Sequence, residues 1–270
     1  MKKILITGGS GFLGSRLITY FKTKYDVCAP SHQDMDITNP HQVNDVVSQY
    51  HPDIIIHCAA MADVGQCQRE PDISWQRNVI GSIHMATAAK EVGAKCILCS
   101  SDQVYFATPT NLYAKEKITA EQECLKLNPD CIFLRLSWMY DPSLTSTAQR
   151  SDFFTNLLPK LHTPEDVFYA THDKRGITDV NEVIRNMEHM FELPGGVYDF
   201  GSPNNKTMYE TVIQLFQALG LDTTRVKPNE DAFKEQPRDM TMNQADINHF
   251  GIYFTDTVEA LVKHFSKHLK

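Results

Sequence analysis

Tyr113 and Lys117 stand four residues apart in the segment Tyr113-Ala-Lys-Glu-Lys117. On a helix that spacing puts both side chains on one face. A free tyrosine titrates near ~10. A neighbouring ammonium favours the phenolate, so Lys117 is expected to bring that value down and let Tyr113 exchange a proton with a substrate. Taken alone, the spacing also fits an ordinary amphipathic helix. Ser101 adds a second element, in Ser100-Ser101-Asp102-Gln103-Val104-Tyr105, directly after an apolar run. A hydroxyl at the carboxyl end of a strand can hold a carbonyl oxygen beside the tyrosine, although serine there also caps turns. The third element opens the chain: Lys3-Ile-Leu-Ile-Thr7 runs into Gly8-Gly-Ser-Gly11-Phe12-Leu13-Gly14. A strand, a glycine turn and a helix start in that order read as a dinucleotide site, with the pyrophosphate at the helix N-terminus, although the glycines also fit a tight turn with no ligand.

These residues need a scaffold. Apolar runs at Lys3–Thr7, Tyr25–Ala29, Ile54–Cys58, Cys96–Ser100 and Cys131–Leu136 read as strands. Helical patterns at Phe12–Lys22, His41–Tyr50, Ile73–Val92 and Ala114–Leu127 alternate with them. The order predicts right-handed βαβ units, hence an α/β Rossmann-type doubly wound parallel sheet. Strands covered on both faces read as continuous apolar runs, as these do. Further helices are expected at Asp152–Leu161, Val180–Phe191, Met208–Leu219 and Thr255–His268, and a strand at Val197–Phe200. Asp141–Arg150 reads as a polar turn, and Asp222–Asp239 as a surface loop. The expected organisation is a dinucleotide-binding core over 1–140, with later core elements near 165–201. The remainder of 141–270 forms a smaller substrate-binding lobe, interleaved with the core and closing over it.

Composition narrows the function classes. The 270 residues carry a net charge of −7, with no basic cluster, which argues against nucleic acid. No apolar run is long enough to span a bilayer. Met1-Lys2-Lys3 leads straight into the first strand, so no signal peptide is expected and the cytoplasm is the expected location. The seven cysteines show no disulfide framework, and read as buried thiols of a reducing compartment. Cys96-x-x-Cys99 has redox-motif spacing but lies inside an apolar run, away from a helix start. No metal is expected, since no set of ligands has the right spacing.

Glycine turn, strand-end serine and Tyr/Lys helix together resemble an extended short-chain dehydrogenase/reductase. More narrowly, the chain resembles the dTDP-4-dehydrorhamnose reductase family, whose members include the regulatory beta subunit of methionine adenosyltransferase. The resemblance runs from end to end. It takes in Asp36-Ile37-Thr38, His57-Cys58-Ala59-Ala60, Cys67 to Pro71 with Asn78-Val79-x-Gly81, Arg135-Leu-Ser137-Trp138-Met-Tyr140, Gly196-Val-Tyr198 and Pro237-Arg238.

The resemblance implies a reductase that transfers hydride from NADP(H) or NAD(H) to a nucleotide-linked keto sugar. Tyr113 would be the general acid, Lys117 would hold the nicotinamide ribose, and Ser101 would polarise the carbonyl. Asp102 and Trp138 would border the substrate. The cofactor would lie along Gly8, Gly11, Phe12, Leu13, Ser31, His32, Asp36, Ile37, Ala59, Ala60, Met61, Cys99, Tyr113 and Lys117, with Asp36 by the adenine. Asn78 reads as a brace for the backbone. The stretch Cys28-Ala-Pro-Ser31-His32 lacks the acid that NAD-specific sites place there, so NADP(H) is expected to bind at least as well as NAD(H). The alternatives are a cofactor-binding regulatory subunit and a sugar-nucleotide epimerase or dehydratase, and a homodimer is compatible with each.

The chain departs from the family pattern in three places. Met61-Ala62 replaces Tyr-Thr, and Ser101-Asp-Gln-Val-Tyr105 replaces Thr-Asp-Tyr-Val-Phe. Ser101 and Tyr113 are only twelve positions apart, where the family has a longer loop with Phe-Asp-Gly. The connection Phe106–Asn111, stiffened by Pro109, predicts a more open pocket and a sugar other than, or broader than, dTDP-4-dehydrorhamnose.

Overall fold

The computed structural model describes residues 1–108, 110–144 and 152–269. Pro109 and most of the turn expected at Asp141–Arg150 lie outside them. The chain divides into two compact units: Met1–Arg135 with Ile184–Tyr198, and Leu136–Val183 with Asp199–Lys270.

Strands β1 (Lys3–Thr7), β2 (Asp26–Cys28), β3 (Ile54–His57), β4 (Lys95–Ser101) and β5 (Ile132–Leu136) follow the apolar runs closely. After β6 (Trp138–Tyr140), β7 (Val167–Ala170), β8 (Asp173–Arg175) and β9 (Ile177–Asp179), strand β10 (Gly196–Phe200) completes the central parallel sheet. Its order is β10-β5-β4-β3-β1-β2. The chain therefore turns one way from β1 to β2 and the other way to β3, and a ligand crevice opens beyond the strand ends at such a switch point. Leu5, Ile55, Cys96, Leu98 and Phe133 pack with Val43, Val47, Met85, Ala89 and Ala120 of the covering helices.

Local signals set the helices of the first unit. Gly11 begins α1 (Phe12–Phe21). Asn39 caps α2 (Pro40–Tyr50) by accepting from the His41 and Gln42 N–H groups, and Pro40 at the first position costs no hydrogen bond. Short helices α3 (Val64–Arg69) and α4 (Pro71–Trp75) lead into a π-helical turn, Gln76–Ile80, and then α5 (Gly81–Val92). The sequence predicts one uninterrupted helix over Ile73–Val92. The structure inserts a π turn that carries Asn78 inward, and such turns often mark functional sites. Gly93, at φ +70°, ends α5. Helix α6 (Leu112–Leu127) carries Tyr113 and Lys117.

In the second unit, α7 (Phe153–Leu157), α9 (Met208–Ala218) and α11 (Thr257–Phe265) enclose a core of their own. Tyr140 stacks on Phe154 at 5.8 Å, and Phe154 on Phe265 at 4.3 Å. Helix α8 (Val180–Met187) follows β9, and α10 (Ala245–His249) lies near the end of the chain. The segment expected as a loop at Asp222–Asp239 holds β11 (Val226–Asn229), paired with β7, and at its edge β12 (Arg238–Met240), paired with β8. Each is too short to leave a periodic signature.

Candidate active site

The glycine turn approaches the end of β3 very closely. Gly8 has φ +69°, and a Cβ there would lie 2.7 Å from the Ala59 nitrogen and 2.8 Å from the Cys58 carbonyl carbon. Only glycine fits both demands. A Cβ on Gly14 would in turn strike the Gly8 carbonyl oxygen. Gly11 is the N-cap of α1 and, having no side chain, leaves the helix start without a side-chain cap. This is a cradle for an anion: backbone donors, a helix dipole and no side-chain bulk. Phe12 and Leu13 form the first turn, where the Arg16 guanidinium lies 4.1 Å over the Phe12 ring.

Thr7 ties the cradle to β3. Its hydroxyl bonds His57 Nδ1 at 2.8 Å and accepts from the Ala59 N–H at 3.2 Å. Ala60 is exposed, whereas Met61 is buried against Cys67 and Tyr113. Asn78 braces this exit on both sides: it accepts from the Met61 N–H at 2.9 Å and donates to the Met61 carbonyl at 3.0 Å. It donates again to Glu116 Oε2 at 2.7 Å, which also takes the Ser74 hydroxyl at 2.5 Å. The bracing role read for Asn78 matches this geometry.

Beyond β2 the structure revises one expectation. Ser31 and His32 are exposed, but Asp34 turns back so that its carboxylate accepts from the Ser31 hydroxyl at 2.6 Å and the Ser31 N–H at 3.0 Å. Those bonds hold the Asp34 carboxyl below its ordinary value. The slot read as free of acid therefore has a carboxylate on Ser31. Asp36, partly desolvated, is held low by the Thr38 N–H and hydroxyl at 2.9 and 2.8 Å. Ile37 is buried, and its carbonyl bonds His84.

The remaining site residues meet at the end of β4. The Tyr113 phenol comes close enough to Ser101 for the serine hydroxyl to favour its ionised form. Ser101 also caps the short 3-10 turn Asp102–Phe106: its hydroxyl accepts from the Gln103 N–H at 3.2 Å and donates to buried Asp102 at 3.2 Å. The capping reading of Ser101 is the one this geometry shows. Lys117 is buried, donates to the Cys99 carbonyl at 2.8 Å, and lies 5.6 Å from the Tyr113 ring centre.

The electrostatics differ from the sequence-based expectation. Burial raises the Tyr113 phenol above its ordinary value; the nearby Ser101 hydroxyl opposes this and the Asp102 charge adds to it. Burial lowers Lys117. The ammonium addresses a carbonyl rather than the phenol, so desolvation dominates at Tyr113.

Three supporting groups escaped the sequence reading. Asn111 caps α6 by accepting from the Ala114 N–H at 3.1 Å, and its amide donates to the Phe106 carbonyl at 3.0 Å and to Gln103 at 3.1 Å. It closes the short connection that brings Tyr113 to Ser101. Glu121, one turn beyond Lys117, receives the Ser100 hydroxyl at 2.6 Å and a two-pronged contact from Arg135 at 3.1 and 2.7 Å. Arg135 also reaches the Tyr105 hydroxyl at 3.1 Å. The Glu116–Ser74–Asn78 cluster is the third. The cap was readable from Asn111 preceding the helix, whereas the two carboxylates sat in a helix that reads as polar.

Trp138 belongs to the second unit. It is 37% exposed, meets Phe153 edge-on at 5.8 Å and lies 5.1 Å beneath the Arg175 guanidinium. Among the described residues, no cluster of three or more His, Cys, Asp or Glu could hold a metal ion, and no helix is long and apolar enough to cross a membrane.

Comparison with known proteins places these features in context. The family model described as RmlD substrate binding domain matches residues 1–270. A dTDP-4-dehydrorhamnose reductase of Streptomyces griseus is 25% identical over 86% of this chain and 81% of its own. Methionine adenosyltransferase 2 subunit beta of Xenopus laevis is 28% identical, over 85% of this chain and 76% of its own. The fold matches a crystal structure of dTDP-4-dehydrorhamnose reductase from Bacillus anthracis in complex with NADP, with a TM-score of 0.81, 24% identity and 99% of each chain covered.

Proposed function

From the premise that the chain belongs to the RmlD substrate binding domain family, we propose that it is a nicotinamide-dependent reductase of a nucleotide-linked keto sugar. The observation that carries this reading is the approach of Ser101, at the end of β4, to Tyr113 on α6, with Lys117 one turn further along that helix. The reductase relative and the NADP-bound structural neighbour support it.

The cradle fits a dinucleotide. Gly8, Gly11, Phe12 and Leu13 hold the pyrophosphate, Asp36 and Ile37 flank the adenine, and Ser31 and His32 face its ribose. Ala59, Ala60, Met61 and Cys99 wall the nicotinamide half. An ammonium has three donors; Lys117 uses one on Cys99 and offers the others to ribose hydroxyls. When bound, the reduced cofactor supplies the hydride. Ser101 orients the substrate carbonyl, and Tyr113 gives its proton to the oxygen as charge develops there. A phenol raised by burial keeps that proton at neutral pH, as a general acid must. Asp102, bonded to the Ser101 hydroxyl, borders the sugar. Met61 offers no hydrogen bond to sugar hydroxyls, and sites lacking such donors discriminate less between hydroxylated analogues.

A panel of nucleotide-linked 4-keto sugars, assayed by NADPH oxidation, tests the reading. Turnover of at least one of them is expected, with no strong preference for the dTDP-rhamnose precursor. Strong preference for that precursor overturns the altered-substrate part. Tight NADPH binding without turnover of any member favours the second reading, a regulatory subunit, to which the beta-subunit relative points.

A further inference from the structure

Cys58 and Cys99 lie side by side at the mouth of the cradle. The parallel register pairs His57 with Leu98, so the next pair along β3 and β4 is Cys58 with Cys99. Their sulfurs are 3.5 Å apart. Both are half-buried, while Cys67, Cys96, Cys124 and Cys131 are buried. Cys96 and Cys99, the pair with redox-motif spacing, point to opposite faces of one strand and cannot meet. Facing residues on adjacent strands are separated by about 4.8 Å, inside the range of about 4.4–6.8 Å between Cα atoms that a disulfide spans.

We propose that Cys58 and Cys99 are a reversible oxidation site, closed to a disulfide by hydrogen peroxide. The Cys99 sulfur attacks the O–O bond and takes one oxygen as sulfenic acid; the other oxygen leaves and is protonated to water. The Cys58 sulfur then attacks the Cys99 sulfur. The S–S bond forms, the S–O bond breaks, and hydroxide leaves with the Cys58 proton as a second water. Two thiols and one peroxide give one disulfide and two waters. Cys99 is the first nucleophile because the Lys117 ammonium is anchored beside it, on the Cys99 carbonyl.

Closing the bond draws the sulfurs together by about 1.5 Å. Cys58 adjoins Ala59, against which Gly8 is packed, and the Cys99 carbonyl holds Lys117. Oxidation therefore tightens the strand exits on which the cofactor is proposed to rest, and weakens its binding. This consequence rests on the proposed function; the disulfide itself does not.

The full chain, treated with hydrogen peroxide, alkylated and digested, is mapped by mass spectrometry. A Cys58–Cys99 linked peptide, lighter by two hydrogens and reopened by dithiothreitol, is expected. Both sulfurs still alkylated, or each carried separately to a sulfinic acid, overturns the proposal, and the wild-type map needs no variant. In Cys58→Ser the link is lost and Cys99 becomes trappable by dimedone. NADPH titration, followed by fluorescence, should show at least ~10-fold weaker binding after oxidation, reversed by dithiothreitol. Equal affinity in both states overturns the regulatory consequence. A reduced protein that binds no NADPH sinks the functional reading, while the peptide map still decides the disulfide.

Discussion

The Lys117 ammonium donates to the Cys99 carbonyl oxygen at 2.8 Å, one helical turn from the Tyr113 phenol it was expected to acidify. Its contribution is positional: it ties α6 to the end of β4. Burial sets the Tyr113 proton affinity, with Ser101 opposing it.

Tyr113→Phe should therefore keep NADPH affinity within a few fold and lose at least ~100-fold in turnover, the weight of a positioned acid. Steady-state rates beside cofactor titrations check both halves. Near wild-type reduction in this variant removes Tyr113 from the chemistry.

Asn111 offers a finer cut. Asn111→Ala removes the cap of α6 and should cost about 1 kcal/mol of stability. Asn111→Asp keeps the acceptor for the Ala114 N–H but loses the donors to Phe106 and Gln103. It should retain more of the stability and still lose turnover. Urea melts and rates measured on both variants test this. Equal activity of Asn111→Asp and wild type contradicts the positioning role.

The carboxylate on Ser31 should weigh on cofactor choice. Asp34 occupies both the hydroxyl and the N–H of Ser31 and is fully exposed. Asp34→Asn should shift preference toward NADPH over NADH by roughly two- to fivefold, the modest effect of one solvated charge. Paired titrations of the two cofactors read the ratio, and a shift toward NADH refutes this account of the slot.

His57 predicts a pH dependence of stability. It is 3% exposed; burial first, and the Lys117 charge second, push its imidazole from 6.5 down to about 3. On acidification the unfolded chain takes up the proton first. Stability is thus complete above the unfolded value and falls as pH drops below 6.5 toward 3, by about 1.4 kcal/mol per pH unit from this group. His57→Asn should flatten that slope. Denaturant melts at pH 7.5 and pH 5 compare the two proteins, and an unchanged slope excludes His57 as the source.

The parts legible in the sequence share one physical cause. Strands β1, β3, β4 and β5 are buried on both faces and so read as apolar runs, while Gly8 takes a positive φ and Gly14 presses on the Gly8 carbonyl, where a Cβ would clash. The three-residue strands β6, β8, β9 and β12 are too short for a period to show. The π turn around Asn78 carries no marker of residue type. Asp34 reaching Ser31 was visible as a Ser-x-x-Asp spacing, yet distance along the chain concealed that the carboxylate folds back. Cys58 meets Cys99 through strand register, which no single strand reveals.

Ser101 and Asn111 are both N-caps, one opening the turn that leaves β4 and the other opening α6. Nine residues separate these two fixed points. Residues inserted or removed there would reshape one wall of the pocket while the hydroxyls of Ser101 and Tyr113 stay in register. Substrate range and proton transfer can then diverge separately within one lineage, and the same boundary is the natural splice point for grafting a longer wall onto this scaffold.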